Sequence, residues 1–430
     1  MDQNDLIIPF PQLVSTLSDA VDLISPVLNN HHKQVAYISH KIAREINLYG
    51  DGLADLITAA LLHDIGALSL DERMDLLEFE EKNPYVHTTT GSMLLKDLEI
   101  FNRAGNIILH HHLPWRDGAG KEYKGEHVSL ESHILYLADR IAVSIDSEKE
   151  ILNQVEIITN RIKKQANSRF HPMFVDIFEK IGKKEAFWLD LVSPSIDARL
   201  DSAWQDCDRK LDLKGLQQVT KIFARVIDFR SRFTSVHSSG VGAVAEIMAK
   251  KIGWSDEDCI KMVIAGNLHD LGKLAVPNWI LEKPGKLTEE EYNIMKTHAY
   301  LGYHLLDKVE GLEEINEYCS YHHERMDGGG YPFQKRAQEL RDGSRIMAVA
   351  DVMTAITEDR PYRKGMDSMA AMRIIEKMGH DGKLDIDMIK PIKENFGAIN
   401  YAREKAQEQA ASEYKEFGER TDSAKDYYCQ

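Results

Sequence analysis

The sequence predicts an all-α chain built from two copies of one helical unit. Three observations lead there. Strand signals are scarce, and apolar residues recur at helical spacing in most segments. Histidine and aspartate positions repeat along the chain at a nearly constant offset. A glycine follows the same His-Asp pair in each half, as Gly66 and Gly272.

The N-terminal set is His31, His63, Asp64, His87, His111, His112 and Asp139. The C-terminal set is His237, His269, Asp270, His298, His322, His323 and Asp351. The offset is 206 residues for His31/His237 and His63/His269, 211 for His87/His298 and the paired histidines, and 212 for Asp139/Asp351. One insertion of five residues and one of a single residue account for the drift. Ten of the 18 histidines share this register, which scattered core histidines would not do.

The first unit is expected over 1–182, opening with a helical segment before His31. In QVAYISHKIAREI, Val35, Ile38, Ile42 and Ile46 line one helix face, and in ADLITAALLHDIG, Leu56, Ile57, Ala60 and Leu61 do the same. IKMVIAGNLHDLG repeats the second pattern. Each His-Asp pair falls at the C-terminal end of its helix, with the glycine as a candidate C-cap. Residues 183–215 form a connector whose FWLDLVSPS run carries enough apolar side chains to pack. The second unit spans 216–397. The Ala/Glu/Lys-rich stretch 398–430 predicts a charged, solvated helical tail.

A chain of 430 residues suits two domains, and 43% hydrophobic with 28% charged residues is a globular composition. There is no apolar run long enough for a bilayer span, so no membrane insertion is expected, and the opening residues carry no secretory pattern. The four cysteines are dispersed, without metal or redox spacing, and the cytoplasm is the expected compartment. A formal charge of −16 argues against binding polymeric nucleic acid. It leaves room for a small anionic ligand where cations gather locally. Homo-oligomerisation is left open.

Imidazoles and carboxylates without thiolates suit first-row transition ions. Five histidines and two aspartates exceed what one four-coordinate ion uses. Two neighbouring ions sharing a carboxylate would employ them all, and such pairs acidify water and support in-line displacement at phosphorus.

The second half resembles the HD-GYP phosphodiesterase family. The resemblance rests on His269-Asp270 with Gly272-Lys273, then KPGKLTEEE, then His322-His323-Glu324-Arg325-Met326-Asp327-Gly328-Gly329-Gly330-Tyr331-Pro332, then AVAD and DRPYRK. The first half is similar to the wider HD phosphohydrolase superfamily and keeps only the metal ligands. The resemblance implies tandem HD-type helical domains and metal-dependent hydrolysis of a cyclic dinucleotide, foremost cyclic di-GMP, to a linear dinucleotide and onward to GMP. The alternatives are a 3′,3′-cyclic GMP-AMP phosphodiesterase and a non-hydrolysing cyclic dinucleotide receptor.

By the same resemblance His237, His269, Asp270 and Asp351 would hold one divalent ion, and His298, His322 and His323 a second, with Asp270 bridging. Fe or Mn is favoured over Ni, Zn or Mg. Lys273 would contact the scissile phosphate or the nucleophile, acting with Asp270 as the catalytic pair. Tyr331 would lie near a guanine or the phosphate at the end of the glycine-rich loop, Gly328 and Gly330 would let that loop's backbone approach the substrate, and Arg360 and Arg363 would bind phosphates.

The sequence departs from the family pattern at Thr354, where an aspartate is usual, and at Phe233, where some members place a third-ion glutamate. In the first copy Ala67 replaces the lysine, LPWRDGAG replaces the glycine-tyrosine-proline loop, and no RPYR segment follows Asp139. That copy is expected to be regulatory or structural, with His31, His63, Asp64, His87, His111, His112 and Asp139 as a second candidate metal set.

Overall fold

In the computed structural model the residues described are 6–24, 30–67, 85–205, 207–230, 236–359 and 364–429. The principal helices, in chain order, are α1 (Phe10–Asp22), α2 (His31–Glu45), α3 (Gly50–Leu62), α4 (Tyr85–Lys96), α5 (Asn102–Leu109), α6 (Leu130–Val143), α7 (Val155–Lys163), α8 (Pro172–Ile181) and α9 (Glu185–Leu191). They continue as α10 (Leu213–Arg230), α11 (His237–Lys251), α12 (Asp256–Leu268), α13 (Glu289–Leu306), α14 (Glu313–Ser320), α15 (Asp342–Thr357), α16 (Ser368–His380) and α17 (Ile386–Cys429). Among the described residues the strands are two-residue pairs only, so the all-α expectation is borne out. No helix described is long and apolar enough to cross a membrane.

The chain divides into two compact units. One comprises Ser25–Arg209 with Gly418–Gln430, the other Met1–Ile24 with Lys210–Phe417. The N-terminal segment, grouped with the first copy on sequence order, therefore packs in the unit of the second copy. Two features hold it there. Ile8–Pro9 pairs antiparallel with Lys210–Leu211. α1 buries Phe10, Leu13, Val14, Leu17, Ala20 and Val21, one helical face, with Lys308 bonded to Asp19 at 2.6 Å and the Glu310 N–H to Gln12 at 2.8 Å. Each large apolar side chain so buried contributes about 1.5–3 kcal/mol, which outweighs sequence proximity to α2.

Within the N-terminal unit α3 is buried along its whole length from Leu53 to Leu62. It is the axial helix, against which α2, α5 and α6 pack. The connector is packed as expected: Phe187, Trp188 and Leu191 of α9 are buried, and the Trp188 indole N–H donates to Gly182 O at 2.8 Å.

In the other unit α12 takes the place of α3, between α10, α11 and α14. The KLTEEE run starts α13 with a capping box. Thr288 Oγ1 accepts from the Glu291 N–H, and Glu291 Oε2 accepts from the Thr288 N–H.

The tail is helical as expected, and solvated on one side only. α17 runs on from the closing helix at 386, and Ile399, Arg403, Ala410 and Phe417 are buried. With Gln407 and Tyr414 these residues follow a three-four spacing, a stripe whose polar members hide it from hydropathy.

Candidate metal centre

The two copies place their ligands at the same points of the same elements. His31 and His237 are the first residues of α2 and α11. His63 and His269 are the C-caps of α3 and α12. His87 and His298 lie within α4 and α13, the paired histidines follow α5 and α14, and Asp139 and Asp351 sit in α6 and α15. The carbonyl-rich C-terminal ends of α12 and α14 point partial negative charge at the cluster, which favours a cation.

Gly66 and Gly272 are not left-handed caps, as neither has positive φ. They are contact points. A Cβ on Gly272 would lie 1.9 Å from His298 O, and one on Gly66 would lie 2.1 Å from His87 O. Only glycine lets the helix carrying the third histidine approach the His-Asp turn this closely.

In the C-terminal copy two groups form, His237 with His269 and Asp270, and His298 with His322 and His323. The ligand atoms of each group lie within 4.8 Å of one another. Asp270 stands between them. Its Oδ2 is 3.2 Å from His269 Nε2 and its Oδ1 is 3.7 Å from His298 Nε2. Asp351 joins both, with Oδ1 3.1 Å from His237 Nε2 and Oδ2 3.9 Å from His323 Nδ1. Lys273 Nζ donates to Asp270 Oδ2 at 2.6 Å.

The ring orientations are set by the backbone. The Nδ1–H of His269 donates to Gly266 O at 2.8 Å, that of His298 to Met295 O at 2.7 Å, and that of His322 to Cys319 O. Each bond reaches the carbonyl three residues back. A carbonyl only accepts, so Nδ1 carries the proton and Nε2 presents a lone pair. His298 Nε2 and His322 Nε2 then face each other at 3.4 Å. Two acceptors so placed cannot bond to one another, whereas a cation shared between them satisfies both. His269 Nε2 is buried without a hydrogen bond. The donor set therefore fits a metal.

Electrostatics agree. Burial holds His298 down to about 4 and His323 down to about 3, and His322 also lies well below its usual value, so these rings are neutral, the form in which an imidazole can take a metal. Burial would raise Asp270, but His269 and Lys273 outweigh it and keep the carboxylate ionised. Burial also pulls on His237, where Glu358 and Asp351 prevail and push it up to about 10. Glu358, not anticipated from sequence, is buried with Oε2 3.0 Å from His237 Nδ1, and Gln407 of α17 donates to that same oxygen at 3.3 Å.

The glycine loop folds on itself. Gly328 has φ of +78°, and a Cβ on Gly330 would meet Glu324 Cα at 2.5 Å, so both serve the turn. Buried Glu324 closes the loop by accepting from the Phe333 and Lys335 N–H groups at 2.7 and 3.0 Å. Tyr331 lies against His323, ring centroids 4.8 Å apart, at the rim of the cluster. Thr354 is buried in the wall beside Gly240. Arg360, Arg363 and Phe233 lie outside the described residues.

The N-terminal copy gathers the same ligands into His31/His63/Asp64, His63/His111/Asp139 and His87/His111/His112 groups. His63 and His111 again donate Nδ1–H to the carbonyls of Ala60 and Ile108, at 2.9 and 2.7 Å, and His111 Nε2 is buried without a hydrogen bond. Two things differ. Buried Arg140 donates twice to Asp139 Oδ2, at 3.0 and 2.7 Å, where the other copy has Val352. Every ligand is buried and Ala67 is fully enclosed, whereas in the C-terminal copy the side chains of His323 and Lys273 are 28% and 19% exposed. The N-terminal cluster is closed and the C-terminal one open.

Two family models match the chain, both described as HD domain, one over residues 29–144 and the other over 221–388. The chain carries two HD domains in tandem. As a tandem HD protein it is a metal-dependent phosphohydrolase, as the resemblance in its motifs implied. The HD protein is 28% identical over 393 residues to the 3′3′-cGAMP-specific phosphodiesterase 1 of Vibrio cholerae, covering 88% of this chain and 90% of that one. A cyclic di-GMP phosphodiesterase of Pseudomonas aeruginosa is 41% identical over 150 residues, 34% of this chain and 36% of its own. The crystal structure of a cyclic GMP-AMP-specific phosphodiesterase of V. cholerae superposes with a TM-score of 0.62 at 24% identity, over 89% of this chain and 96% of that one, which supports the shared fold.

Proposed function

We propose that the C-terminal copy hydrolyses a cyclic dinucleotide. The carrying observation is Asp270, whose two oxygens address two separate histidine groups while Lys273 holds the same carboxylate beside an open rim. His237, His269, Asp270 and Asp351 would hold one divalent ion and His298, His322 and His323 another, with Fe or Mn favoured. Ions held there would supply Lewis acidity, acidifying water and neutralising charge at phosphorus.

The chain's own groups do the rest. The imidazoles of His269, His298 and His322, aimed by backbone carbonyls, present lone pairs, and Asp270, Asp351 and Glu358 supply the anionic charge around them. Lys273 is placed to neutralise a non-bridging phosphoryl oxygen as charge develops on it. Tyr331 flanks the mouth and restricts the approach of substrate. Hydrolysis adds water across one phosphodiester bond. The water oxygen joins phosphorus, the ribose 3′-oxygen leaves and takes a proton, and a linear dinucleotide with a 5′-phosphate results.

Cyclic di-GMP is the first substrate to test, given the loop and motif set. The full-length likeness to cGAMP-specific phosphodiesterases favours 3′,3′-cyclic GMP-AMP as the second reading. The N-terminal copy, closed and lacking the lysine, is a structural or regulatory metal unit. Cys207, Cys259 and Cys319 are free, in keeping with a reducing cytoplasm.

The test supplies Mn- or Fe-loaded protein with each dinucleotide and separates the products by chromatography. Turnover absent from a His269→Ala/Asp270→Ala control supports the reading. Tight binding without turnover across several metals would replace it with a receptor.

A further inference from the structure

We propose that the N-terminal unit carries a second, separate ligand site, a cleft that binds a compact phosphate-bearing anion. The cleft has a volume of about 430 Å³ and lies between the C-terminal half of α2, the start of α9 and the turn at 201–205. That volume suits a small metabolite. His40 is nine residues beyond His31 on the same helix, roughly 13 Å along the axis, so the cleft is distinct from the metal cluster.

Its lining is cationic in a chain of net charge −16. Lys41, Arg44 and Lys184 face it, and among the described residues none of the three forms an ion pair. Lys41 instead rests over the Tyr37 ring at 4.9 Å and Arg44 over Tyr49 at 4.4 Å. The two lining carboxylates are already engaged. Asp190 accepts from the Tyr37 hydroxyl at 3.0 Å and pairs with Arg199 at 3.1 Å, and Glu45 pairs with Lys180.

Unpaired cations collected around a cavity attract an anion. Buried His40 also lines the cleft, and its Nδ1 has no hydrogen-bond partner, so it can meet a ligand oxygen. Burial, reinforced by Arg199, Lys184 and Arg44, lowers the Lys41 ammonium from its ordinary value, which an arriving anion would reverse. Tyr37 and Phe187 are buried, so no open ring face is offered to a base. Recognition thus falls to the phosphate group. This site stands independently of the catalytic reading.

The test is calorimetric titration of the full-length protein with inorganic phosphate and, separately, with 5′-GMP, at constant ionic strength. The comparison variant is Arg44→Gln/Lys184→Gln, two exposed positions, with melting temperature measured to confirm that it folds. Saturable binding that weakens by roughly tenfold or more in the variant is expected from loss of charge-assisted bonds. Tighter binding of 5′-GMP would identify a nucleotide phosphomonoester as ligand. Equal binding would identify phosphate alone, and both support the site. An adventitious contact in the catalytic copy would bind equally well in the variant. That outcome, or no saturable binding of either probe, overturns the proposal.

Discussion

Glu358 Oε2 lies 3.0 Å from His237 Nδ1, on the side of the ring opposite the bond to Asp351. A buried carboxylate behind a ligating imidazole fixes the ring and raises its basicity. Glu358→Gln keeps the shape and removes the charge. Metal affinity of the C-terminal copy is expected to fall by about 10–100-fold, measured by competition with a chelating dye, with little change in circular dichroism. Gln407→Ala should move affinity the same way by less, because it removes one neutral hydrogen bond to the Glu358 oxygen, besides the one Gln407 accepts from Arg403.

Lys273→Ala removes the cation beside Asp270 without removing a ligand. Turnover should drop by about 10²–10³-fold while bound metal, counted by elemental analysis, stays constant. A parallel loss of metal would mean that the lysine supports the ligand set rather than the substrate.

The closed cluster and the open one should separate by mutation. His111→Ala is expected to lower the metal content of the protein and leave turnover largely intact, whereas His298→Ala lowers metal content and abolishes turnover. Abolition of turnover by His111→Ala at unchanged melting temperature would give the N-terminal copy a direct part in the reaction.

Gly272→Ala and Gly66→Ala each place a methyl group about 2 Å from a backbone carbonyl oxygen. Overpacking of this kind costs about 1–3 kcal/mol, and backbone is the obstacle here, so the upper end is expected. Urea titration should show the loss.

The N-terminal unit should be acid-sensitive. Burial holds His40 and His133 down to about 4, against 6.5 in the unfolded chain. Between those values the unfolded state binds more protons. Their contribution to stability is therefore complete above pH 6.5 and is lost as pH falls towards 4. Melting temperatures at pH 7 and 5 would report it, and His133→Gln should flatten the dependence.

The two His/Asp clusters were legible because coordination chemistry demands particular side chains in order, and a duplicated order is hard to produce otherwise. Their helical placement followed from periodicity. What could not be read depends on tertiary docking. α1 joins a unit more than 180 residues away through one apolar face, and nothing in its own pattern names that partner. The α17 stripe alternates Ile399 and Phe417 with Arg403, Gln407 and Tyr414, so its burial is masked by polarity. Glu358 and Arg140 look like ordinary surface charges until the neighbouring helices enclose them. Gly272 was visible as a repeated position, but its purpose lay in a helix 26 residues on, at His298.

The bonds from imidazole Nδ1 to the carbonyl three residues earlier carry a wider implication. Main chain, unlike side chain, is common to every sequence that adopts these turns. A copy can exchange Lys273 for Ala67, or its glycine loop for LPWRDGAG, and the rings still aim inward. Gathering the imidazoles and placing a cation beside them are thus separable properties of this architecture, and this polypeptide has the former twice and the latter once.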